Sequence, residues 1–333
     1  MSSLNLQVMK PADIYLGEHI KTIAIGDRTK PQSEVANVLE GILTGEGLHQ
    51  DKFGKQNALV GLNDILSRSP RYKGKVTDVY IVGSGAGHVF PDPLPWEEVD
   101  KLCNFYDAEA LCLMETYDSD TKITPSVKMV DKKDSEGRTY KEKEYWVEQR
   151  VRVQVGFRVY DVVKRTISDQ YHFVEEMGWT GKGATEKEAM SRLINKRDAT
   201  NKVSFAAGNK YGYRISPMWI TVSRSYYKKD SKFPQIKRAA RMVHVNDWEG
   251  AEREWKSLIN CGRAKTAGRA AYNLALACEV KGLLEEARGW TMEAYTKYGN
   301  KKARDYQRIL ERRIYDEQRL KEQMEPVNNE NNE

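Results

Sequence analysis

The sequence lacks several features that would assign it to a familiar class of protein. No run of about 18 apolar residues occurs, so no membrane-spanning helix is expected. The four cysteines form no CxxC pair and stand apart from the five histidines, so zinc-binding spacings are absent. A GxSxG elbow, an HExxH helix and a Walker lysine are missing as well. The sequence therefore predicts a protein that is not an enzyme, with no catalytic residues, metal site or cofactor.

The beginning of the chain and its charge leave the compartment open but argue against nucleic acid. The opening MSSLNLQVMKPADIYL has no basic region followed by an apolar one, as an export signal would. Either the protein is cytoplasmic, or Met1 replaces a removed export segment. The net charge of +6 is modest, and the basic cluster over 228–241 is typical of a solvated helix face. Without a basic arm or an RNA-binding aromatic signature, we expect no nucleic-acid partner.

The first two thirds of the chain predict an α/β layer that continues into an antiparallel meander. Strand and helix patterns alternate up to Glu115, and residues 146–161 then alternate between apolar and polar side chains. We predict strands at 19–27, 76–82, 108–115, 126–130, 146–161, 166–174 and 217–227, and helices at 34–43, 57–66, 96–106 and from Thr185 onward.

The last third predicts helical repeats. With Gly268 as position 1, small or apolar residues occupy the positions where the two helices of a tetratricopeptide repeat touch. These residues are Leu274, Ala275, Gly282, Ala287 and Ala294. The fold class is therefore α+β. Residues 1–232 form an α/β domain with antiparallel strands, 233–324 a tetratricopeptide-like module and 325–333 a disordered tail.

Two candidate sites follow from these patterns. Arg269, Tyr272, Asn273 and Leu276 lie on the first helix of the best repeat, three of them at positions that line the concave groove of such arrays. They predict either a partner-binding surface or a docking face for the protein's own α/β domain.

The second candidate is the glycine-rich stretch at 83–88. Gly83, Gly85 and Gly87 follow a predicted strand, as in a phosphate-binding loop. Their G-x-G-x-G spacing differs from the dinucleotide fingerprint, and the prolines that follow oppose an immediate helix. A flexible strand-exit loop is the main interpretation, and a nucleotide- or phosphate-binding enzyme is the alternative.

Three stretches of the chain resemble a known family. They are LNLQVMKPADIYLGEHIKTIAIGDR at the beginning, the alternating middle strands, and the end from VNDWEGAEREWKSL through YQRILERR. Together they resemble an uncharacterised family of Bacteroidales lipoproteins with C-terminal tetratricopeptide repeats. The first strand is also weakly similar to the N-terminal domains of TolB-like and curli-secretion lipoproteins.

The resemblance implies a location and a role. Members are expected to carry an export signal and a lipidated cysteine, neither of which is in this chain, so Met1 would precede the mature form. We therefore expect a lipoprotein at the periplasmic face of the outer membrane that acts as a scaffold for protein partners of the cell envelope. Membrane association would depend only on that lipid anchor, and a cytoplasmic adaptor is the alternative.

Overall fold

The computed structural model describes residues 1–29, 50–79, 81–83 and 89–324. The predicted helix at 34–43 and the predicted disordered tail at 325–333 lie outside the described residues. The elements in chain order are β1 (Ser2–Lys10), β2 (Thr22–Asp27), α1 (Gln50–Arg68), β3 (Lys73–Val76), α2 (Trp96–Tyr106), β4 (Ala110–Lys133), β5 (Thr139–Asp161), β6 (Thr166–Gly183), α3 (Glu186–Ser191), α4 (Lys196–Ile215), β7 (Met218–Tyr226), α5 (Pro234–His244), α6 (Trp248–Lys256), α7 (Ala264–Val280), α8 (Leu284–Thr296) and α9 (Lys301–Met324).

The chain is mixed α and β, and it divides into two compact units. Ala12–Ser216 form the sheet unit, and Met1–Pro11 with Pro217–Glu333 form the helical unit. The predicted division was near residue 232, whereas the units separate at residues 216 and 217. The reason is that β1 pairs with β7 over its whole length. The two strands therefore belong to the same unit as the C-terminal helices.

The sheet unit is built on five strands in the order β3-β2-β4-β5-β6. β2 runs parallel to β3 and β4, while β4, β5 and β6 form an antiparallel meander. Helices α1 and α4 pack on one face over buried Ile23, Ile25 and Phe157, and α2 packs on the other over Leu111 and Leu113. This confirms the predicted sheet region in the first part of the chain.

Close contact between α1 and α4 depends on glycine. A Cβ at Gly208 would lie 1.9 Å from the carbonyl oxygen of Ala58, and one at Gly61 would lie 2.2 Å from that of Phe205. Since no side-chain atom fits there, the two helix backbones touch directly. This contact fixes the helical layer against the sheet.

Several predicted boundaries differ from the structure. The predicted strands at 108–115 and 126–130 belong to one strand, β4, because the 24 residues pair continuously with β5 apart from a bulge near Glu115. The strand predicted at 76–82 lies instead at Lys73–Val76, where two lysines suit an exposed edge. The helix from Thr185 is two helices, because Asn195 caps a second one.

The helical unit combines a two-stranded sheet with five helices among its described residues. β1 and β7 pair antiparallel from Ser2↔Tyr226 to Lys10↔Met218. Neighbouring helices pack in succession from α5 to α9, and the core between them is rich in small side chains. The predicted strand at 217–227 and the predicted C-terminal helices are therefore found close to their expected places.

Candidate functional site

The residues predicted to bind a partner face an extended segment of their own chain. Tyr272, Asn273 and Leu276 on α7 are buried, with exposed fractions of 7%, 0% and 0%. The carboxamide of Asn273 accepts a hydrogen bond from the backbone N–H of Tyr227 at 2.9 Å and donates one to its carbonyl oxygen at 2.8 Å. Asn273 thereby pairs with Tyr227 as a neighbouring strand would.

A second contact holds the same segment a few residues further on. Arg269 donates to the carboxylate of Asp230 at 2.9 Å, and the hydroxyl of Thr266 donates to the same oxygen at 3.1 Å. Burial raises the pKa of Asp230, but hydrogen bonds from Lys232 and Thr266 and the charge of Arg269 hold it below its usual range. Arg269, Tyr272 and Asn273 thus contact the segment that follows β7, and Leu276 is buried in the core of the helical unit.

A larger concave surface than the small pocket beside Arg269 lies elsewhere in this unit. A groove of ≈ 900 Å³ runs between the small sheet and α9, and we call it the β1 groove. Its walls are residues 5–10 of β1, the inward side chains of β7, Glu279–Gly282 and the face of α9 from Ile309 to Leu320. The lining is mostly apolar, with several charged groups among the apolar side chains.

A buried carboxylate organises the floor of the β1 groove. Glu279 accepts hydrogen bonds from Arg224 Nε at 2.9 Å, from Arg313 Nη1 at 2.8 Å and from the hydroxyl of Tyr306. Burial raises the pKa of Glu279, but the hydrogen bonds from Arg224, Tyr306 and Arg313 more than offset this and hold it below its usual value. The charged carboxylate therefore ties β7, α7 and α9 together beneath the groove.

Of the glycine-rich candidate, only Gly83 is described, and it lies beside Arg28, which directly follows β2. Gly85 and Gly87 are outside the described residues, as is His88. A Cβ at Gly83 would lie 1.6 Å from the carbonyl oxygen of Arg28, so the chain passes directly against that backbone. This contact gives Gly83 a packing role that is independent of any ligand.

Two arginines hold the chain on both sides of this glycine-rich stretch. Arg28 donates to the carbonyl oxygens of Val82 at 3.3 Å and Asp92 at 2.8 Å, and Arg158 donates to that of Pro91 at 3.0 Å. The charges of both arginines are balanced in part by fully buried Glu115. Because these guanidinium groups already have acceptors, the arrangement favours loop anchoring over phosphate binding.

No metal centre emerges from the described part of the chain. No group of three or more His, Cys, Asp or Glu side chains is placed to hold a metal ion within residues 1–29, 50–79, 81–83 and 89–324. Among the described helices, none is both long and apolar enough to cross a membrane.

Sequence reasoning missed the β1 groove because it depends on a pairing between distant strands. Leu4, Leu6 and Val8 alternate with polar residues, which is the pattern of a strand with one covered face. That local signal could have predicted β1. Nothing local indicates that its partner lies more than 200 residues away.

Comparison with known proteins extends over most of the chain. A family model described as a domain of unknown function, DUF8603, matches residues 20–227. The chain belongs to the DUF8603 family. A second domain of unknown function, DUF6340, matches residues 237–312 in the helical unit. No curated protein is significantly similar to the sequence.

Solved structures show only distant likeness. The PelC dodecamer from Paraburkholderia phytofirmans is 12% identical with a TM-score of 0.24, over 65% of this chain and 99% of that one. A neuraminyllactose-binding hemagglutinin homolog from Helicobacter pylori is 11% identical with a TM-score of 0.26, over 58% of this chain and 80% of that one. Likeness at this level carries no argument about function.

Proposed function

We propose that this protein is a non-enzymatic scaffold or adaptor of the cell envelope that binds a partner protein through its helical unit. The observation that carries the proposal is the β1 groove, which exposes apolar side chains between a two-stranded sheet and α9. Exposed concave apolar surfaces with polar rims are typical of protein-binding sites. The partner is a protein, and no cofactor or nucleic acid takes part.

We further propose that the C-terminal helices are tetratricopeptide-like repeats. Ala251 and Ala287, which occupy equivalent positions of the two repeats, are both fully buried. Gly282 lies in the turn between α7 and α8 with a φ of 78°, a conformation that glycine adopts readily. These features support helix pairs that cross at small residues and present a surface instead of a catalytic centre.

The binding proposal is tested by photo-cross-linking in cells of the native host. A benzophenone amino acid replaces Ile309, which lines the groove and is 41% exposed. The matched control carries the same group at Tyr315, which is 56% exposed and lies on another face of α9. We expect a discrete cross-linked protein from position 309 and none from 315. Equal products at both positions, or none at 309, would contradict the proposal.

The proposed lipid anchor and periplasmic location are tested separately. The native gene should encode an export signal and a cysteine shortly before the position of Ser2. Labelling with a fatty-acid analogue should mark the protein, and replacing that cysteine should abolish the label and release the protein from membranes. An unlabelled protein in the cytoplasmic fraction would instead favour a cytoplasmic adaptor.

The rival proposal of a phosphate- or nucleotide-binding enzyme predicts stabilisation by its ligand. A nucleotide present at 100 times its dissociation constant should stabilise the sheet unit by about 2.7 kcal/mol. Since Arg28 and Arg158 are already engaged, we expect no shift in melting temperature with nucleotides or inorganic phosphate. A reproducible shift that is lost on Gly85→Val would overturn the adaptor proposal.

A further inference from the structure

We propose that the β1 groove binds an extended segment of the partner, which adds to the free edge of β1 as a third strand. The proposal rests on the scaffold function proposed above and states how the partner is recognised. The ligand class is a linear peptide segment whose side chains alternate between apolar and polar.

The first observation is that β1 has one open edge. Among the described residues, β1 exchanges backbone hydrogen bonds with β7 alone, and the two strands form a sheet of their own. A strand paired on one side leaves a row of N–H and C=O groups on the other. A two-stranded sheet is also marginal in water, and a third strand would complete a more stable one.

The second observation is that most of this edge lacks the charged side chains and prolines that discourage pairing. Residues 2–9 of β1 contain neither a charged side chain nor a proline. The edge strand β3 of the sheet unit differs, because it has only four residues and two of them are Lys73 and Lys75. Short length and lysine are devices that discourage strand addition. β1 has nine residues and a single charged side chain, Lys10 at its end, whereas β3 has four residues of which two are lysines.

The third observation is that the groove follows the open edge. Six consecutive residues of β1, 5 to 10, line it. From β7, by contrast, it takes alternate residues, Ile220, Val222 and Arg224, together with Trp219. Because successive side chains of a strand point to opposite faces, a cavity beneath a sheet meets only alternate residues. Contact with six in a row places the groove along the edge of β1.

The opposite wall and the size of the groove suit one extended segment. Ile309, Arg313, Asp316 and Leu320 line it at spacings of three and four, which is one face of α9. Six residues of β1 span about 20 Å. The volume of ≈ 900 Å³ holds a single peptide segment. If the linkage sites of the cross-linking experiment described below lay within β1 of a second copy of this chain, the proposal of a partner segment would be wrong.

The chemistry of the walls defines the side chains of that segment. On the inward side it would contact Leu6, Val8 and Leu320, which favour apolar residues. Arg224 and Arg313 both pair with Glu279, and Arg313 also pairs with Glu317 at 3.8 Å, so they do not call for an acidic partner residue. On the outward side the segment would lie beside Asn5 and Gln7, which favour polar residues.

The closing experiment reads the register of the bound segment. A photo-cross-linking amino acid is placed in the full chain at Asn5, Gln7 or Met9, one at a time, on the outward face of β1. Each linkage site in the partner is then mapped by mass spectrometry. Residues directly opposite each other in paired strands advance together, so we expect three sites in one linear segment, each two residues from the next. The control places the cross-linking amino acid at Ser223 on β7. It should give no product, because Ser223 lies one strand further from the bound segment.

The outcomes separate this inference from the function on which it rests. If Ile309 gives a partner but the β1 positions give none, or give sites spaced by three or four residues, strand addition is wrong and the scaffold proposal stands. If neither Ile309 nor β1 gives a product, both are wrong. The two-residue spacing, together with the loss of the product at Ser223, supports strand addition.

Discussion

Each unit of this protein buries one glutamate between two arginines and a tyrosine, yet the two carboxylates differ in character. In the sheet unit, Glu115 lies between Arg28 and Arg158 and accepts a hydrogen bond from the hydroxyl of Tyr160 at 2.7 Å. In the helical unit, Glu279 lies between Arg224 and Arg313 and accepts one from Tyr306. Both side chains are fully buried.

The pKa of the two groups is shifted in opposite directions. Burial raises the pKa of Glu115, and the hydrogen bond from Tyr160 with the charges of Arg28 and Arg158 offsets this only in part. For Glu279 the hydrogen bonds more than offset burial, and the pKa is lowered. The same three types of donor thus leave the charged form of Glu115 disfavoured and the charged form of Glu279 favoured.

The difference lies in where the guanidinium groups direct their other donors. Arg224 gives Nε and Nη2 to Glu279, a two-pronged contact at 2.9 Å for each nitrogen. Arg28 and Arg158 divide their donors between Glu115 and backbone carbonyl groups beside the glycine-rich stretch. The two carboxylates have the same kinds of partner, yet their pKa values shift in opposite directions. We attribute the difference to how many N–H donors of each arginine reach the carboxylate and how many go to backbone carbonyl groups.

The largest expected effect comes from Glu279→Gln. The amide removes the charge that holds two arginines beneath the β1 groove, and breaking a buried pair in this way costs about 3–5 kcal/mol. Glu115→Gln should cost less, about 1–3 kcal/mol, because Arg28 and Arg158 keep their carbonyl acceptors. Hydrogen-exchange mass spectrometry would measure the loss of unfolding free energy separately in each unit. Equal losses would break the comparison.

Much of the fold could be predicted from the sequence, because its signals are local. The alternation of Val151, Val153 and Val155 marks β5, and all three are buried as that pattern requires. Thr185 begins α3 with a cap to Glu188, as the capping-box spacing indicates. A pairing between distant segments has no local pattern of this kind, so the sequence does not predict that β1 lies beside β7.

The residues of the predicted partner-binding site contact their own chain in the structure. Asn273 and Arg269 do face an extended segment, but it is Tyr227 and Asp230 of the same chain. No sequence pattern singles out Glu279, because a glutamate near the end of a helix has the pattern of a solvated residue. Its burial depends on the hydrogen bond from Arg224, a residue of β7 that is distant from the helix in sequence.

The next largest effects compare how the two units pack their helices. In the sheet unit, Gly208→Ala would drive a Cβ into the carbonyl oxygen of Ala58, so it should cost the upper part of the usual 1–3 kcal/mol for overpacking, or more. In the helical unit, Ala287→Leu should cost about 1–3 kcal/mol, since Ala287 is fully buried in the alanine-rich core.

The control for the helical unit is Glu286→Leu. This residue precedes Ala287 on α8 and is exposed, so its replacement should change stability by no more than about 0.5 kcal/mol. Thermal unfolding of the variants provides the measurement. If Glu286→Leu were as harmful as Ala287→Leu, the register proposed for the repeats would be wrong.

A smaller effect should appear in the pH dependence, with opposite sign in the two units. The folded pKa of Glu279 is below the usual 4.5, so its stabilisation is present above pH 4.5 and is lost as the pH falls through the folded value. The folded pKa of Glu115 is above 4.5, so its contribution is present below pH 4.5 and is lost as the pH rises through the folded value. Each changes stability by at most about 1.4 kcal/mol per pH unit.

The measurement is the unfolding free energy of the native chain minus that of each glutamine variant, followed from pH 7 to pH 3.5. For Glu279→Gln this difference should shrink below pH 4.5. For Glu115→Gln it should grow as the pH falls towards 4.5. If both differences changed in the same direction with pH, the division of donors between carboxylate and backbone would not explain the pKa shifts of Glu115 and Glu279.

The smallest expected effect on the unfolding free energy comes from a third glutamate, Glu142, at the solvent-exposed end of the β4–β5 hairpin. Glu142 pairs with Lys132 at 2.5 Å, but the two side chains are 42% and 47% exposed. The hydrogen bond and charge of Glu142 raise the pKa of Lys132, yet water screens the pair and both side chains lose freedom in holding it. Glu142→Gln should therefore leave the unfolding free energy unchanged within error in the same exchange measurement. A loss comparable to that of Glu115→Gln would mean that this part of the hairpin is covered in solution, and that a short distance alone can stabilise an exposed pair as well as a buried one.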